Sequence, residues 1–447
     1  MYEYTQELDL VENENALSII NKISELLGGS ANEEKPDHSS LLSLLNRGIV
    51  IHHGSLPLQA RFLIEEFIDK GFCRLCFATS TLYQGINMPF DIVYLKRLEE
   101  SRPLLVKNLI GRAGRSTTKP IFDYGQVIVG YGGMSTIRNI LARNEVMSRV
   151  SQIDIDNEDD DADLSEFKHA IRNGELDDFY NLTKPQIDRL NSSDVSDSIE
   201  KIMNILLPND DSIEEVYKNL SPQEKSLVTH YFQHIYKQHV KNRELSPGEE
   251  AVIETAVRIF MLQIGGRNLR SIIEARFAYI AQTSYRKNLE GFRLREPLLY
   301  AREIERLEPK PTMPAEDLPN KDLLWRGLFM KGTKIHQAGY DQVMYDTYDY
   351  IDKVWGFGLS DVFYAAFDLY FKNTSEAKAQ AMCKYIRYAT IDDNEIWLLR
   401  YGFSFEEIEW IMPLVQSVDE RRIKFNDVSR LDQDQIAIIE RYLPPDR

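Results

Sequence analysis

The five residues GRAGR, at positions 111–115, are the strongest candidates for chemistry in this sequence. Arg112 and Arg115 are three residues apart after the apolar stretch LLVKNLI, so both guanidinium groups can face one point at the end of a helical turn. Gly111 and Gly114 leave room for a ligand there. Two converging cations suit a phosphate whose charge grows during transfer. The alternative, a surface helix end that carries arginines, explains neither glycine.

Hydroxyl side chains form a second candidate site in ATSTLYQGINMP, residues 78–89. Thr79, Ser80 and Thr81 continue a strand-like run, and hydroxyls and backbone N–H groups at a strand end can hold phosphate oxygens. Gly85 would let the backbone approach a ligand. In an open parallel sheet ligands gather at the carboxyl ends of the strands, which favours this interpretation. The alternative is an ordinary polar turn.

The most basic stretch of the chain is RNLRSIIEARFAYIAQTSYRKNLEGFRLR, residues 267–295. It carries seven Arg or Lys residues against two Glu residues, with aromatic residues between them. Cations for phosphates and aromatic rings for base stacking are typical of single-strand binding. The alternative is a solvated helix whose aromatic residues pack against the rest of the protein. The candidate contacts are Arg267, Arg270, Arg276, Tyr279 and Tyr285.

Alternating strands and helices would position the first two candidates. Residues 57–71, PLQARFLIEEFIDKG, have helical spacing, and residues 15–26 predict an earlier helix. Short β-branched apolar runs predict a parallel sheet; they are GIVIHHG (48–54), RLCFATS (74–80), DIVYL (91–95) and GQVIVGY (125–131). After residue 200 amphipathic segments such as 221–240 and 248–264 dominate. We therefore predict an α/β fold followed by an all-α region.

Charge and proline mark the predicted boundaries. The 447 residues carry a net charge of −17, which argues against a protein that coats nucleic acid uniformly but allows a local basic groove. The acidic run at 154–166 is typical of a solvated linker, and residues 309–320 contain four prolines. We predict an α/β domain, an acidic linker, a helical domain, a Pro-rich linker and a C-terminal helical domain, over 1–150, 151–200, 201–308, 309–320 and 321–447.

The sequence indicates neither membrane insertion nor metal binding. It has no apolar run of about eighteen residues and no signal-peptide pattern, so we predict a cytoplasmic protein. Three cysteines do not make a disulfide framework. Cys73 and Cys76 form a CxxC in a strand-like run, where this spacing places the two side chains on opposite faces. Core thiols are favoured over a metal site, and we predict no metal ligands.

The order and spacing of these segments resemble a known family. HHGSLPLQARFLIEEFIDKGFCRLCFATSTLYQGINMPFDIVYL followed by LVKNLIGRAGR resembles the second RecA-like domain of superfamily 2 helicases, most closely the superkiller-type branch. Motif V would be ATSTLYQGINMP (78–89), and motif VI would be NLIGRAGR (108–115). His52 and His53 match a family pair of histidines. These histidines are either structural or near the nucleic acid.

The resemblance also implies roles for single residues. Arg112 and Arg115 would be the arginine fingers that reach the γ-phosphate of ATP. Asn108 stands where motif VI usually opens with Gln. The residues expected near the nucleic-acid backbone are Thr79, Ser80 and Thr81, and those expected near the nucleotide are Gly85, Asn87, Asn108 and Gly111.

Other parts of a helicase motor are not found among these residues. We see no P-loop GxxxxGK[ST] and no DExH carboxylate pair in a sheet context. ATP and Mg²⁺ would be held mainly by a first RecA-like domain, so we expect no ATP hydrolysis by this chain alone. The expected partners are single-stranded DNA or RNA and a polypeptide that carries the P-loop and DExH motifs. Helical domains of the resembling family close over the emerging strand, which would give residues 267–295 a task.

Two interpretations follow from that pattern. The chain is the C-terminal portion of an ATP-dependent helicase, with the P-loop half on another polypeptide or missing from the gene model. Alternatively, it is a non-catalytic remnant of a helicase that binds nucleic acid or a partner.

Overall fold

The computed structural model describes residues 8–78, 90–95, 103–114, 125–144, 150–155, 162–208, 212–241, 243–290, 338–431 and 433–443. Helices predominate, with small parallel and antiparallel sheets, which is compatible with the predicted α/β region followed by an all-α region. The chain divides into two compact units. Unit 1 comprises Met1–Asp156 and Gly339–Tyr345, and unit 2 comprises Asn157–Ala338 and Asp346–Arg447.

Helices and strands alternate in unit 1 in the predicted order. They are α1 (Glu14–Leu27), α2 (Ser40–Leu45), β1 (Ile49–His52), α3 (Leu58–Asp69), β2 (Leu75–Ala78), β3 (Ile92–Leu95), α4 (Pro103–Ile110), β4 (Gln126–Val129) and α5 (Met134–Ala142). Strand β1 pairs in parallel with β2, and β3 pairs in parallel with β4. All four predicted strands therefore exist, and in the described residues they form two separate two-stranded sheets.

The amphipathic pattern of α1 explains how unit 1 builds its core. The Asn13 side chain caps the helix by accepting hydrogen bonds from the backbone N–H groups of Asn15 at 3.0 Å and Ala16 at 3.2 Å. Apolar side chains three and four residues apart are buried, and the helix packs against α3. The buried residues of α1 are Ala16, Ile19, Ile20, Ile23 and Leu27.

A segment from far along the chain, residues 339–345, completes unit 1. The Tyr340 hydroxyl donates to the backbone carbonyl of Leu27 at 2.8 Å. The carboxylate of Asp341 accepts a hydrogen bond from the Ser39 hydroxyl at 2.6 Å, at the start of α2. No sequence pattern indicated this association, because the two partners are about 300 residues apart.

Unit 2 is mainly helical. Its elements before residue 291 are α6 (Ala162–Asn173), β5 (Leu176–Asp177), β6 (Leu182–Thr183), α7 (Lys184–Leu190), α8 (Ser193–Leu206), α9 (Ile213–Asn219), α10 (Pro222–His239), α11 (Pro247–Ile264) and α12 (Leu269–Glu290). Later elements are α13 (Tyr340–Asp349), which starts in unit 1, a π-helical segment (Tyr350–Leu359), α14 (Ser360–Thr374), α15 (Ala377–Tyr388), α16 (Asp393–Arg400), α17 (Phe405–Ile411), β7 (Val415–Val418), β8 (Ile423–Phe425) and α18 (Gln433–Ile439).

Aromatic residues from both predicted helical lobes meet in one core. The Trp355 ring stacks on Phe260 with centroids 4.1 Å apart, and Phe232 lies 4.8 Å from Phe363. The Trp355 indole N–H donates to the carbonyl of Ile386 at 3.0 Å, which satisfies its polar atom. Segments on both sides of the predicted Pro-rich linker, which is outside the described residues, therefore share a core. A separate small core forms within 398–443.

The range predicted as an acidic linker, 151–200, contains α6, α7 and most of α8. Glu166 forms ion pairs with Arg189 at 2.9 Å and with Lys241 at 2.5 Å. Burial raises the pKa of Glu166, but its hydrogen bonds to these two cations outweigh burial and lower it. Acidic residues of this range thus also lie in folded helices. The boundaries of the five predicted segments stay predictions.

Candidate functional site

The arginine turn, residues 111–114, follows α4 and has a fixed backbone. The Arg112 N–H donates to the carbonyl of Leu109 at 3.0 Å, which continues the last helical turn. Gly114 then reverses the chain with a φ of 75°, a left-handed conformation that glycine adopts without strain. Gly114 therefore has a conformational reason to be glycine, apart from any ligand.

Two neighbouring segments hold the arginine turn. The Gly114 N–H donates to the carbonyl of Phe90 at 2.8 Å, and Phe90 also bridges to Ala113. On Gly125 a Cβ would lie 2.5 Å from the carbonyl carbon and oxygen of Ala113, so only glycine permits this approach. Phe90 directly follows the predicted motif V, residues 78–89. One hydrogen bond thus connects the residue after motif V with the predicted motif VI.

The arginine turn lies near the amino ends of strands. Phe90 precedes β3, and Gly125 precedes β4. A helix that connects parallel strands runs back along the sheet, so its C-terminal turn emerges where the strands begin. The carboxyl-end rule that we applied to residues 78–89 therefore does not extend to the arginine turn.

The described residues of the arginine turn differ in exposure. Asn108 and Gly111 are exposed, and Arg112 is half-buried. A Cβ on Gly111 would meet its nearest atom, the carbonyl oxygen of Asn108, at an ordinary contact distance of 3.4 Å. The described neighbours do not require glycine at this position, and its nucleotide contact stays a prediction. Arg115 is outside the described residues.

Packing of α4 makes the arginine turn part of a rigid element. Val106 on α4 is buried with Leu95 of β3 and Ile140 of α5. The Lys107 ammonium donates to the carbonyl of Arg143 at 2.5 Å, just past the end of α5. These contacts restrain the helix that carries the turn, which a positioned cation needs.

The two histidines after β1 have different surroundings. His52 is fully buried, and its Nε2 lies 3.3 Å from Glu65 Oε1. Burial lowers the pKa of His52, although Glu65 acts in the opposite direction. His53 is half-buried; its Nδ1 accepts from the Ser55 N–H at 3.1 Å, and its ring centroid lies 5.0 Å from that of Tyr345. His52 is structural, and the nucleic-acid contact of His53 stays a prediction.

The strand register relates His53 to the hydroxyl stretch. His52 is opposite Ala78 in the parallel pair of β1 and β2. His53 thus follows its strand at the edge where Ala78, the last described residue before this stretch, ends the neighbouring strand. The predicted contacts Thr79, Ser80, Thr81, Gly85 and Asn87 are outside the described residues, and their roles stay predictions.

Arg276, a predicted nucleic-acid contact, lies instead in a buried ion pair. Its Nη2 lies 2.7 Å from Asp346 Oδ2, and its Nη1 donates to the Thr347 hydroxyl at 2.5 Å. The side chains of Arg276 and Asp346 are only 9% and 1% exposed, and the guanidinium lies 5.3 Å from the ring centroid of Tyr350. A guanidinium held by a buried carboxylate cannot reach a phosphate in solution. Arg276 is therefore a structural residue, which corrects the prediction.

The remaining candidates on α12 differ from Arg276. Arg267 is exposed, and the exposed Arg270 pairs with Glu274 at 2.8 Å, one helical turn away. Tyr279 is half-buried, whereas the side chain of Tyr285 is outside the described residues. Among the side chains of this stretch that the structure describes, Arg267 and Arg270 are surface arginines, and their contact with single-stranded nucleic acid stays a prediction.

Metal binding and membrane insertion find no support in the described ranges. No group of three or more His, Cys, Asp or Glu side chains is placed there to hold a metal ion. Burial raises the pKa of Cys73 to about 11 and that of Cys76 to about 12, so both are protonated thiols, which are poor metal ligands. None of the described helices is long and apolar enough to cross a membrane.

Sequence reasoning missed the residues that fix the arginine turn. Phe90 and Gly125 supply its two supports, yet neither carries a functional group. A glycine directly before a strand was the available signal for Gly125, since it indicates close approach of another backbone. The partners of Arg276 had no such signal, because Asp346 lies 70 residues further along the chain.

Comparisons with known proteins find helicases among the relatives. No family model matches the chain. The Hachiman protein HamB of Bacillus cereus is 41% identical over 91 residues, which are 19% of this chain and 8% of HamB. The ATP-dependent DNA helicase Hel308 of Pyrococcus horikoshii is 36% identical over 106 residues, which are 22% of this chain and 14% of Hel308.

A eukaryotic helicase is also similar to this chain over a short stretch. The antiviral helicase SKI2 of Saccharomyces cerevisiae is 40% identical over 95 residues, 20% of this chain and 7% of SKI2. The matched stretches thus span at most 14% of the length of these three relatives. Over about a fifth of its length, this chain is related to the superfamily 2 helicases.

Proposed function

We propose that unit 1 is the second RecA-like domain of an ATP-dependent nucleic-acid helicase or translocase. Its arginine turn would complete the ATPase site of a P-loop domain. The observation that carries this proposal is the hydrogen bond from the Gly114 N–H to the Phe90 carbonyl at 2.8 Å. This bond fixes the arginine turn beside the residue that follows motif V. Similarity to proteins named as helicases supports the same proposal.

The arginine turn suits stabilisation of charge on a transferred phosphoryl group. Charge grows on the γ-phosphate oxygens during the reaction, and a cation already in position stabilises it without further reorganisation. Arg112 would supply that cation from a turn whose backbone is fixed at both ends, together with Arg115. Exposed Asn108 and Gly111 would lie against the nucleotide. The P-loop domain would hold most of the ATP and, through its DExH carboxylates, Mg²⁺.

The hydroxyl stretch would connect hydrolysis with movement on a nucleic acid. Thr79, Ser80 and Thr81 would hold phosphates of a single strand, with His53 beside them. The far end of the same motif V stretch is followed by Phe90, which holds the arginine turn. A structural change at the nucleotide would thus be transmitted to the bound nucleic acid along the short segment from Phe90 to Thr79. Exposed Arg267 and Arg270 would add contacts in unit 2.

ATP hydrolysis by the purified chain tests the proposal. With single-stranded DNA or RNA present, the chain alone should bind the strand and hydrolyse no more ATP than the Arg112→Ala variant does. Nucleic-acid-stimulated hydrolysis by the chain alone, absent from the variant, would show that a complete ATPase site exists here. Failure to bind either strand at low salt would contradict the helicase proposal itself.

The alternative function is a non-catalytic remnant that binds nucleic acid or a partner. It predicts that the chain binds single-stranded nucleic acid but hydrolyses no ATP even when a P-loop polypeptide is added. The intact GRAGR spacing supports the catalytic function, because its two arginines suit a transferred phosphoryl group. Complementation with a polypeptide carrying the P-loop and DExH motifs separates the two.

A further inference from the structure

A group of aromatic and cationic side chains lies on unit 2, outside the segment that sequence analysis selected. We call it the Phe179 surface, and its members are Phe179, Tyr180, Tyr364, Lys372 and Arg387. The side chain of Phe179 is 55% exposed although the residue is large and apolar. Its ring centroid lies 6.1 Å from that of Tyr364 and 5.0 Å from that of Tyr180.

Hydrogen bonds hold the turn that carries Phe179. Asp177 Oδ1 accepts hydrogen bonds from the backbone N–H groups of Phe179 at 3.0 Å and Tyr180 at 2.9 Å. Asn181 has a left-handed φ of 57°, and its side-chain amide donates to Asp361 at 3.1 Å. A ring presented in this way loses little conformational entropy on binding a ligand. These bonds hold the backbone that presents the exposed ring of Phe179.

Arg387 faces aromatic rings and no carboxylate in the described part of the chain. Its guanidinium carbon lies 3.4 Å from the ring centroid of Tyr364 and 5.7 Å from that of Phe179. The chain has 70 acidic against 53 basic residues, and the neighbouring Lys384 pairs with Asp393 at 2.7 Å. A planar guanidinium stacked on a ring keeps its N–H donors for an anion such as phosphate.

A second cation lies near the Phe179 ring. The Lys372 ammonium lies 5.3 Å from the centroid of Phe179. It also lies 2.9 Å from Asp368 and donates to the Tyr180 hydroxyl at 2.8 Å, so its charge is partly compensated. Asp368 in turn accepts from the Tyr180 hydroxyl at 2.7 Å. The nearest carboxylate is therefore occupied, and Arg387 is the stronger anion contact.

We propose that the Phe179 surface binds single-stranded nucleic acid, with a base stacked on Phe179 and a phosphate on Arg387. Every base has a face that stacks on an aromatic ring, so the contact is tolerant of sequence. This inference rests on the proposed function, because it adds a contact to a strand that the motor is proposed to hold. It requires no chemistry beyond binding.

Binding of fluorescent single-stranded DNA and RNA to the full chain tests this inference. Phe179→Ala should weaken binding by about 5- to 150-fold, the usual effect of losing one stacked base, with little change in salt dependence. Arg387→Met should flatten the log–log salt slope by about 0.7, the value for one phosphate contact. Phe179→Tyr, which keeps the ring, should bind like the parent. Thermal unfolding checks that the variants are folded.

Matched controls are available on the same unit. Phe357 is 72% exposed and Arg421 is exposed. Phe357→Ala and Arg421→Met should leave the affinity and the salt slope unchanged. If the parent binds a strand and both Phe179→Ala and Arg387→Met bind equally well, the Phe179 surface is not a strand contact, whereas the proposed function survives. If the parent binds neither DNA nor RNA at low salt, both proposals are wrong.

Discussion

Arg112 and Arg276 both looked functional in the sequence, yet the structure places them in opposite situations. Arg112 is held by the backbone of a turn, and its side chain is half-buried beside the exposed Asn108 and Gly111. Arg276 is held by its side chain, through Asp346 and Thr347 in the interior of unit 2. Fixed motif spacing thus selected an arginine in a turn next to exposed residues, whereas local density of charge selected one that the fold itself uses.

The largest expected effect concerns Arg112. With a P-loop and DExH polypeptide supplied in trans, Arg112→Ala should reduce ATP turnover by roughly 10³- to 10⁵-fold, the scale for an arginine finger, with less effect on strand binding. Steady-state hydrolysis in the presence of single strands measures it. Arg138→Ala, an exposed arginine of the same unit, is the control. Equal ATP turnover with the unmodified chain and with both variants would show that Arg112 acts like an ordinary surface arginine.

Arg276 should have the next largest effect, and on stability. Arg276→Gln leaves the buried Asp346 carboxylate without its cation, which should lower the free energy of unfolding by about 3–5 kcal/mol. Arg270→Gln removes an exposed pair one helical turn apart and should cost only about 0.3–0.5 kcal/mol. Urea denaturation compares the two. Similar losses would contradict the buried ion pair.

Backbone geometry of the arginine turn predicts a moderate effect. Gly114→Ala forces a side chain into a left-handed conformation and should destabilise unit 1 by about 1–2 kcal/mol. Gly111→Ala should scarcely change stability, since an added Cβ there makes only ordinary contacts. Hydrogen exchange of α4 distinguishes them. If Gly111→Ala destabilised unit 1 more than Gly114→Ala, the ordinary contact distances inferred for a side chain at Gly111 would be wrong.

The smallest expected effect is on salt dependence. If the surface part of α12 contacts a strand, replacing Arg267 and Arg270 with Gln should flatten the log–log slope of affinity against salt by about 1.4, or 0.7 for each phosphate contact. Adding Arg276→Gln should change that slope no further, because the buried guanidinium releases no counterions. A salt titration with labelled strands measures both. If the third substitution flattened the salt slope further, Arg276 would be a contact of the nucleic acid after all.

Local patterns in the sequence predicted much of unit 1. Apolar β-branched runs located the four strands described in unit 1, and a helix was expected at 15–26 where α1 lies. The motif spacing identified GRAGR as a turn after a helix. Its supports were not predictable, because a close contact such as that between Gly125 and Ala113 depends on how separate segments meet.

Unit 2 shows where local patterns stop being informative. Composition suggested two lobes, but Phe232 and Phe363 touch across them. Density of arginine selected α12, whereas the Phe179 surface draws on three segments that are separated in the sequence. Charge balance around one arginine depends on carboxylates many residues away, which no sequence window contains.

The segment that completes unit 1 has a consequence for synthesis of the chain. Ser39 and Asp341, which share a hydrogen bond, are 302 residues apart. A ribosome adding about 5–20 residues per second needs roughly 15–60 s to cover that distance. During this time the Leu27 carbonyl and the start of α2 lack their native partners. Unit 1 therefore reaches its final state only after most of the chain has been translated, and a nascent chain that stalls before residue 339 leaves this domain unfinished.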